Sequence, residues 1–180
     1  MQGVLAAASI AIGGAVALAT PAAATVVDSQ PNGFEVRETA QIAASPEKVF
    51  AAIGQVGQWW QAEHTYSHDA RNLTLDLRVG GCDCERLPGG GQVAHMIVDM
   101  VVPNRLVRFA AALGPLASTG GAGHLAIALA PKDGGTELDL TYDFGGYAKG
   151  GFGQWAAPVD GVLGEQVARL KRYVETGKPD

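Results

Sequence analysis

Cysteine and runs of positive charge are both scarce in this chain, and each scarcity excludes a class of protein. The 180 residues include two cysteines, too few for the disulfide framework that stabilises small secreted domains. The formal net charge is −5, and no cluster of Lys or Arg offsets it, so nucleic acid and anionic membrane surfaces are not expected as partners. A glycine-rich phosphate-binding loop with its lysine is also missing, so we expect neither ATP binding nor ATP hydrolysis.

The N-terminal segment has the composition of a secretory signal. An uncharged, alanine-rich apolar run covers residues 4–19, and Ala22-Ala23-Ala24 supplies the small residues of a cleavage site. The run is shorter than the about 20 apolar residues of a membrane-spanning helix. Residues 1–3 carry no Lys or Arg, so an uncleaved anchor and a disordered tail are the alternatives. We expect cleavage of residues 1–24 as a signal peptide and export to the periplasm or the exterior, which leaves residues 25–180 as a single domain.

The order of predicted elements is strand, short helices, several strands and one long helix. Ser45-Pro46 is a typical helix start after the first strand, at residues 33–43, and a short helix or turn follows at residues 58–61. Apolar residues at helical spacing predict a long amphipathic helix from about Trp155 to just before Gly177. Between the helices, alternation and turn signals predict about six antiparallel strands, at residues 73–77, 82–87, 92–102, 105–113, 123–130 and 136–144. This arrangement indicates an α+β domain, and alternating alanines in two strands, at positions 110, 112, 126, 128 and 130, would permit a cavity beside the long helix.

Several short motifs, taken in chain order, resemble those of a known superfamily. They are Ser45-Pro46-Glu47-Lys48-Val49-Phe50, Trp59-Trp60, Gly80-Gly81 before Glu85, Pro103-Asn104-Arg105-Leu106, and Gly134-Gly135-Thr136-Glu137-Leu138. Over about residues 33–177 the chain resembles the START/polyketide cyclase-like (SRPBCC) superfamily, and within it the branch of activators of the heat-shock chaperone ATPase. The resemblance implies a helix-grip fold, in which a curved antiparallel sheet wraps around the C-terminal helix. It also implies a cavity for a small, largely apolar molecule, and it carries over no catalytic residue.

Cys82 and Cys84 form the most conspicuous chemical motif. Strict alternation places both thiols on one face of a strand and Glu85 on the opposite face, unless a bulge intervenes. We expect no disulfide between them, because extended residues at i and i+2 lie wider apart than a disulfide prefers. A soft-metal site, a redox pair, and pocket lining or packing are the readings considered. No histidine supplies further ligands at suitable spacing, so we predict lining or packing and expect no metal and no cofactor.

His64, Tyr66 and Glu85 are the candidates for acid/base chemistry. His64 and Tyr66 lie in a polar segment that could reach a cavity mouth, where His transfers protons near neutral pH and Tyr polarises a carbonyl. A solvated surface loop is the alternative for that segment. A buried Glu85 needs a partner or a raised pKa. Arg78, Arg86 and Arg108 are the possible ion-pair partners, although Arg86 should point the opposite way. His95 is interpreted as a structural residue, and His124, at the start of a strand, as a capping or solvent-facing residue.

The sequence leads to one principal function and two alternatives. The principal prediction is an exported helix-grip protein that binds a small hydrophobic or aromatic ligand between the sheet and the C-terminal helix. The alternatives are a cavity enzyme of cyclase, dehydratase or hydrolase type and a co-chaperone-like interaction module; whether the chain is an enzyme and its oligomeric state stay open. The predicted ligand contacts, some of them on a glycine-rich lid at residues 145–153, are Trp59, Trp60, Cys82, Cys84, Tyr142, Tyr147, Phe152 and Trp155.

Overall fold

Eight antiparallel strands form one sheet that carries a long C-terminal helix. The structure is a computed structural model that describes residues 25–180. The strands are β1 (Thr25–Gln30), β2 (Gly33–Ile42), β3 (Leu73–Leu75), β4 (Cys82–Arg86), β5 (Gln92–Val102), β6 (Leu106–Ala111), β7 (Gly120–Lys132) and β8 (Gly135–Tyr147). Their order across the sheet is β1-β2-β8-β7-β6-β5-β4-β3. The helices are α1 (Pro46–Ile53), α2 (Val56–Trp59) and α3 (Ala156–Thr176).

The longest strands are joined by the turn that the sequence predicted. Asp133 and Gly134 both have positive φ, at 49° and 76°, as the favoured two-residue hairpin turn requires. From this turn β7 and β8 run paired over their whole lengths, from Lys132↔Gly135 to Gly120↔Tyr147. Next to this pair lies β2, the strand on which α3 packs.

Helix α3 buries one apolar stripe against the concave face of the sheet. Leu163, Val167, Leu170 and Val174 recur at helical spacing and are buried. The helix ends at Gly177, where φ is 81° and the backbone N–H donates to the Tyr173 carbonyl (2.8 Å). A left-handed residue at this position favours glycine, so the helix terminates where the sequence predicted.

The helix-grip α+β fold is therefore confirmed, and three details differ from prediction. There are eight strands within residues 25–180 rather than the seven predicted, one before the short helices and about six after them, because β1 adds to the edge of the sheet and pairs with β2. Strand β8 extends to Tyr147 and takes in the start of the glycine-rich stretch. The alanines of β6 and β7 lie mainly on the outer face, because the larger Val107, Phe109 and Leu125 occupy the inner face, so small side chains do not create the cavity.

The predicted signal peptide lies outside the described residues. Within residues 25–180, no helix has both the length and the apolar character needed to span a membrane.

Candidate functional site

A cavity of about 360 Å³ lies between the sheet and the first half of α3. Val159, Val162 and Leu163 of α3 form one wall, and the segment around residues 113–115 closes another side. The remaining apolar lining is contributed by Trp60, Leu73, Leu113 and Pro115, and the polar lining by Glu63, His64, Thr65, Tyr66, Asp83 and His95. A separate void of about 30 Å³ lies deeper in the core, and Trp60 lines both spaces.

Two carboxylates on β4 point into the interior because the strand alternates. Asp83 and Glu85 are 3% and 0% exposed. Cys82 and Cys84, each of which precedes one of these carboxylates in the sequence, are half-buried on the other face of the strand. Alternation thus separates the carboxylates from the cysteines, as the sequence indicated.

A β-bulge turns the side chain of His95 toward the interior, the side that Asp83 and Glu85 face. Asp83 pairs with Met96 and Cys84 pairs with Ala94, so His95 is an extra residue on β5. An extra residue interrupts the alternation, and His95 and Met96 are both turned inward although they are neighbours in sequence. Strict period-2 reasoning could not decide which way His95 faces.

Glu85 makes hydrogen bonds that hold two of the polar lining residues, Tyr66 and His95, in place; the polar lining residues form the polar end of the cavity. Its Oε2 accepts from the Tyr66 backbone N–H (3.1 Å) and lies 2.9 Å from Nε2 of His95, while Oε1 accepts from the Ser67 backbone N–H. Burial alone would raise the pKa of Glu85, but the hydrogen bonds from Ser67, Tyr66 and His95 outweigh it and hold the pKa below its ordinary value. Glu85 is therefore an ionised group that fixes the 64–67 loop and orients His95. Its partners are not the arginines considered from the sequence, because Arg78 pairs with Asp76 and Arg108 with Asp99.

Asp83 is the residue that sequence reasoning missed. It lines the cavity, and its Oδ1 has no hydrogen-bond partner within residues 25–180. Burial, with a smaller contribution from the charge of Glu85, raises the pKa of Asp83 to about 7. Asp83 therefore exchanges a proton near neutral pH. The sequence feature that could have identified Asp83 is its i, i+2 spacing from Glu85, which places both carboxylates on one face of the strand.

Residues 33–175 match the protein family described as polyketide cyclase/dehydrase and lipid transport. The chain belongs to this family. The match covers most of the described residues and confirms the resemblance to the SRPBCC superfamily. No curated protein matches the sequence.

Solved structures of the same fold are similar to this cyclase/dehydrase-family chain at low identity. A conserved protein of unknown function from Enterococcus faecalis, EF2215, is 16% identical, with a TM-score of 0.59 over 83% of this chain and 75% of its own. CalU16 from Micromonospora echinospora is 14% identical, with a TM-score of 0.54 over 81% of this chain and 78% of its own. The Aha1 dimer from Colwellia psychrerythraea is 21% identical, with a TM-score of 0.55 over 80% of this chain and 98% of its own. At these identities the likeness shows the fold alone.

Two of the three acid/base candidates of this cyclase/dehydrase-family chain, His64 and Tyr66, line the cavity, and Glu85 lies behind the lining, so the three do not form a hydrogen-bonded triad. Tyr66 reaches Glu85 through its backbone, while its hydroxyl donates to the Gly114 carbonyl (3.1 Å) and its ring stacks on His95 at 5.8 Å. The His64 side chain lines the cavity, and within residues 25–180 it makes no hydrogen bond to Tyr66 or Glu85. Their catalytic roles stay a prediction, and the geometry adds His95 and Asp83 to the set.

The predicted ligand contacts are distributed through the fold rather than gathered at the cavity. Trp60 lines it, whereas Trp59 donates its Nε1–H to the Ala52 carbonyl (2.8 Å) in the core. The others are not among the residues that line it. Tyr142 and Phe152 are fully buried core residues, Trp155 is half-buried against the core, and Tyr147 is 74% exposed. Phe152 packs on Phe144, so this end of the predicted lid is tied to the core.

The two cysteines are joined, which corrects the prediction of separate thiols. Cys82 and Cys84 form a disulfide, and their Cα atoms lie 5.2 Å apart. An ideal extended strand would separate them by roughly 6.6 Å, at about 3.3 Å per residue. The observed separation is shorter than that and lies in the range that disulfides adopt. The bridge lies on the strand face opposite Asp83 and does not line the cavity.

Proposed function

We propose that this chain binds a small, largely apolar molecule in the cavity between the sheet and α3. The observation that carries the proposal is the cavity itself. Its volume of about 360 Å³ falls within the range of about 300–1,000 Å³ typical of small-molecule sites. Apolar walls with a few convergent polar groups at one end are also the usual composition of such sites. The family description, polyketide cyclase/dehydrase and lipid transport, supports the same reading.

A neutral fluorescent probe tests the proposal. N-phenyl-1-naphthylamine brightens in apolar surroundings, and we expect saturable binding to the native chain. Val162→Trp places a large side chain in the wall of the cavity, so it should weaken probe binding at least tenfold. Val79→Trp is the matched control, because Val79 is 63% exposed and lies outside the lining. Equal binding by both variants and the native chain would refute binding in this cavity.

Export is part of the proposal. Disulfides persist in the periplasm and outside the cell and are rare in the cytosol, so the Cys82–Cys84 bridge supports an oxidising compartment. The apolar run before residue 25 supports the same location. Intact-mass measurement of protein secreted or released from the periplasm of its own host should give a chain that begins at Thr25 and has no free thiol. A full-length, reduced chain in the cytosolic fraction would contradict export.

A second candidate function is acid/base catalysis in the same cavity. The favouring observation is that Asp83, with a pKa of about 7, and His95, which is paired with Glu85, both line the cavity. A group that exchanges its proton near the working pH is suited to general acid/base catalysis. Exchange of deuterium from solvent into the carbon next to the carbonyl of a bound small ketone, followed by NMR, tests this function. We expect exchange with the native chain and none with Asp83→Asn; equal rates in both would remove Asp83 from any such reaction.

A further inference from the structure

The polar end of the cavity is acidic. Asp83 and Glu63 line it and Glu85 lies directly behind, whereas no Lys or Arg is among the lining residues of the described part of the chain. His64 and His95 are the other titratable groups that face the space, and α3 contributes apolar side chains. A ligand that carries a carboxylate or phosphate would meet like charge here without a fixed cation to offset it.

Glu85 and Asp83 differ in their hydrogen-bond partners within the protein. Glu85 is saturated by two backbone N–H groups and His95, so it needs nothing from the cavity. Asp83 is 3% exposed and its Oδ1 has no partner. Buried polar atoms are normally hydrogen-bonded, and leaving one without a partner costs free energy. Asp83 is therefore suited to accept a hydrogen bond from a donor group of a ligand in the cavity.

We infer that the ligand is a small apolar or aromatic amine whose protonated nitrogen pairs with Asp83, an inference that rests on the proposed function. A cation interacts favourably with Asp83, Glu63 and Glu85 at once, which a neutral hydroxyl or carbonyl does not. The rings of Trp60 and Tyr66, which line the same cavity, add surfaces that attract a cation. The apolar wall of α3 receives the rest of the molecule.

The pairing links binding to pH. An ammonium ion binds the ionised form of Asp83, whose pKa of about 7 leaves about one-tenth ionised at pH 6 and about nine-tenths at pH 8. Amine affinity should therefore rise about tenfold between these pH values and then level off. His64 and His95 line the same cavity, so a variant is needed to isolate the contribution of Asp83.

Three probes of one skeleton test the inference. We would titrate the native chain with 2-naphthylmethylamine, 2-naphthylmethanol and 2-naphthoic acid by calorimetry at pH 6 and pH 8. At pH 8 the amine should bind at least tenfold more tightly than the alcohol, and the acid most weakly. Asp83→Asn should remove most of the advantage of the amine over the alcohol at pH 8 and most of the pH dependence, while Asp28→Asn, an exposed carboxylate, should change neither.

The outcomes separate this inference from the proposed function. If the alcohol or the acid binds as tightly as the amine, or if Asp83→Asn keeps the amine preference, the amine inference is overturned while cavity binding stands. If none of the three naphthyl probes binds and N-phenyl-1-naphthylamine also fails, both fail. The comparison of the three probes in the native chain stands even if a variant does not fold.

Discussion

Replacing Glu38 by Gln should stabilise the protein, and increasingly so as pH rises. Glu38 lies on β2 beneath α3, is 0% exposed, and neither of its carboxylate oxygens has a hydrogen-bond partner within residues 25–180. Asp160 of α3 is close enough to raise its pKa, and a Cβ added at Gly164 would lie 3.3 Å from both Glu38 oxygens. Two carboxyl groups thus meet at the interface between sheet and helix, where only a protonated one is tolerated.

The magnitude follows from the pKa of Glu38. Burial, and then the charge of Asp160, raises this pKa from 4.5 to about 8. A carboxyl group whose pKa is raised on folding contributes full stability below about pH 4.5 and loses it as pH rises to about 8. Each pKa unit corresponds to about 1.4 kcal/mol, so the loss is at most about 5 kcal/mol. Glu38→Gln keeps the shape and removes this loss.

The assay is urea denaturation at intervals between pH 5 and pH 9. The native chain should lose stability between pH 5 and pH 8. Glu38→Gln should lose less, because only the contribution of Asp83, whose pKa is raised to about 7, remains, and it should exceed the native chain by several kcal/mol at pH 8. Glu35→Gln is the matched control, because Glu35 lies on the outer face of the same strand. Parallel pH profiles for the native chain and Glu38→Gln would refute the reasoning.

Two further predictions concern β4 and the loop that it anchors. Replacing Cys82 and Cys84 together by Ala should lower the free energy of unfolding by about 1–2 kcal/mol, as loop closure over three residues implies, and urea denaturation would contradict this if the double variant equalled the oxidised chain. Glu85→Gln should cost about 2–4 kcal/mol and speed amide hydrogen exchange at Tyr66 and Ser67, because a charged acceptor for both N–H groups is lost. Unchanged exchange at these two amides would show that Glu85 does not hold the loop.

Most of the fold was predictable because its signals are periodic. The β5 strand runs from Gln92 to Val102 as the alternation indicated, and α3 ends at Gly177 as its left-handed cap requires. Alternation fixes which residues share a face, but only side-chain size decides which face is buried. Leu125 and Ile127 therefore turn inward and the alanines between them outward, the reverse of a cavity-forming arrangement.

The candidate site was harder to predict because it depends on an irregularity. The bulge at His95 turns two neighbouring residues, His95 and Met96, to one side of β5, and no local sequence pattern predicts it. Glu85 was identified as a candidate, but its partners come from a loop about twenty residues earlier and from the next strand. Asp83 was not predicted because the two cysteines that flank it, the most conspicuous chemical motif of the strand, lie on the opposite face.

Native mass spectrometry of the protein purified from its own host tests the central claim most directly. If the cavity between the sheet and α3 holds a ligand, the native chain should carry an additional mass of a small organic molecule, released on unfolding. The Val162→Trp variant should lose it and the Val79→Trp variant should keep it. An unliganded native chain that also fails to bind the neutral probe, or a retained mass that persists unchanged in Val162→Trp, would contradict the account.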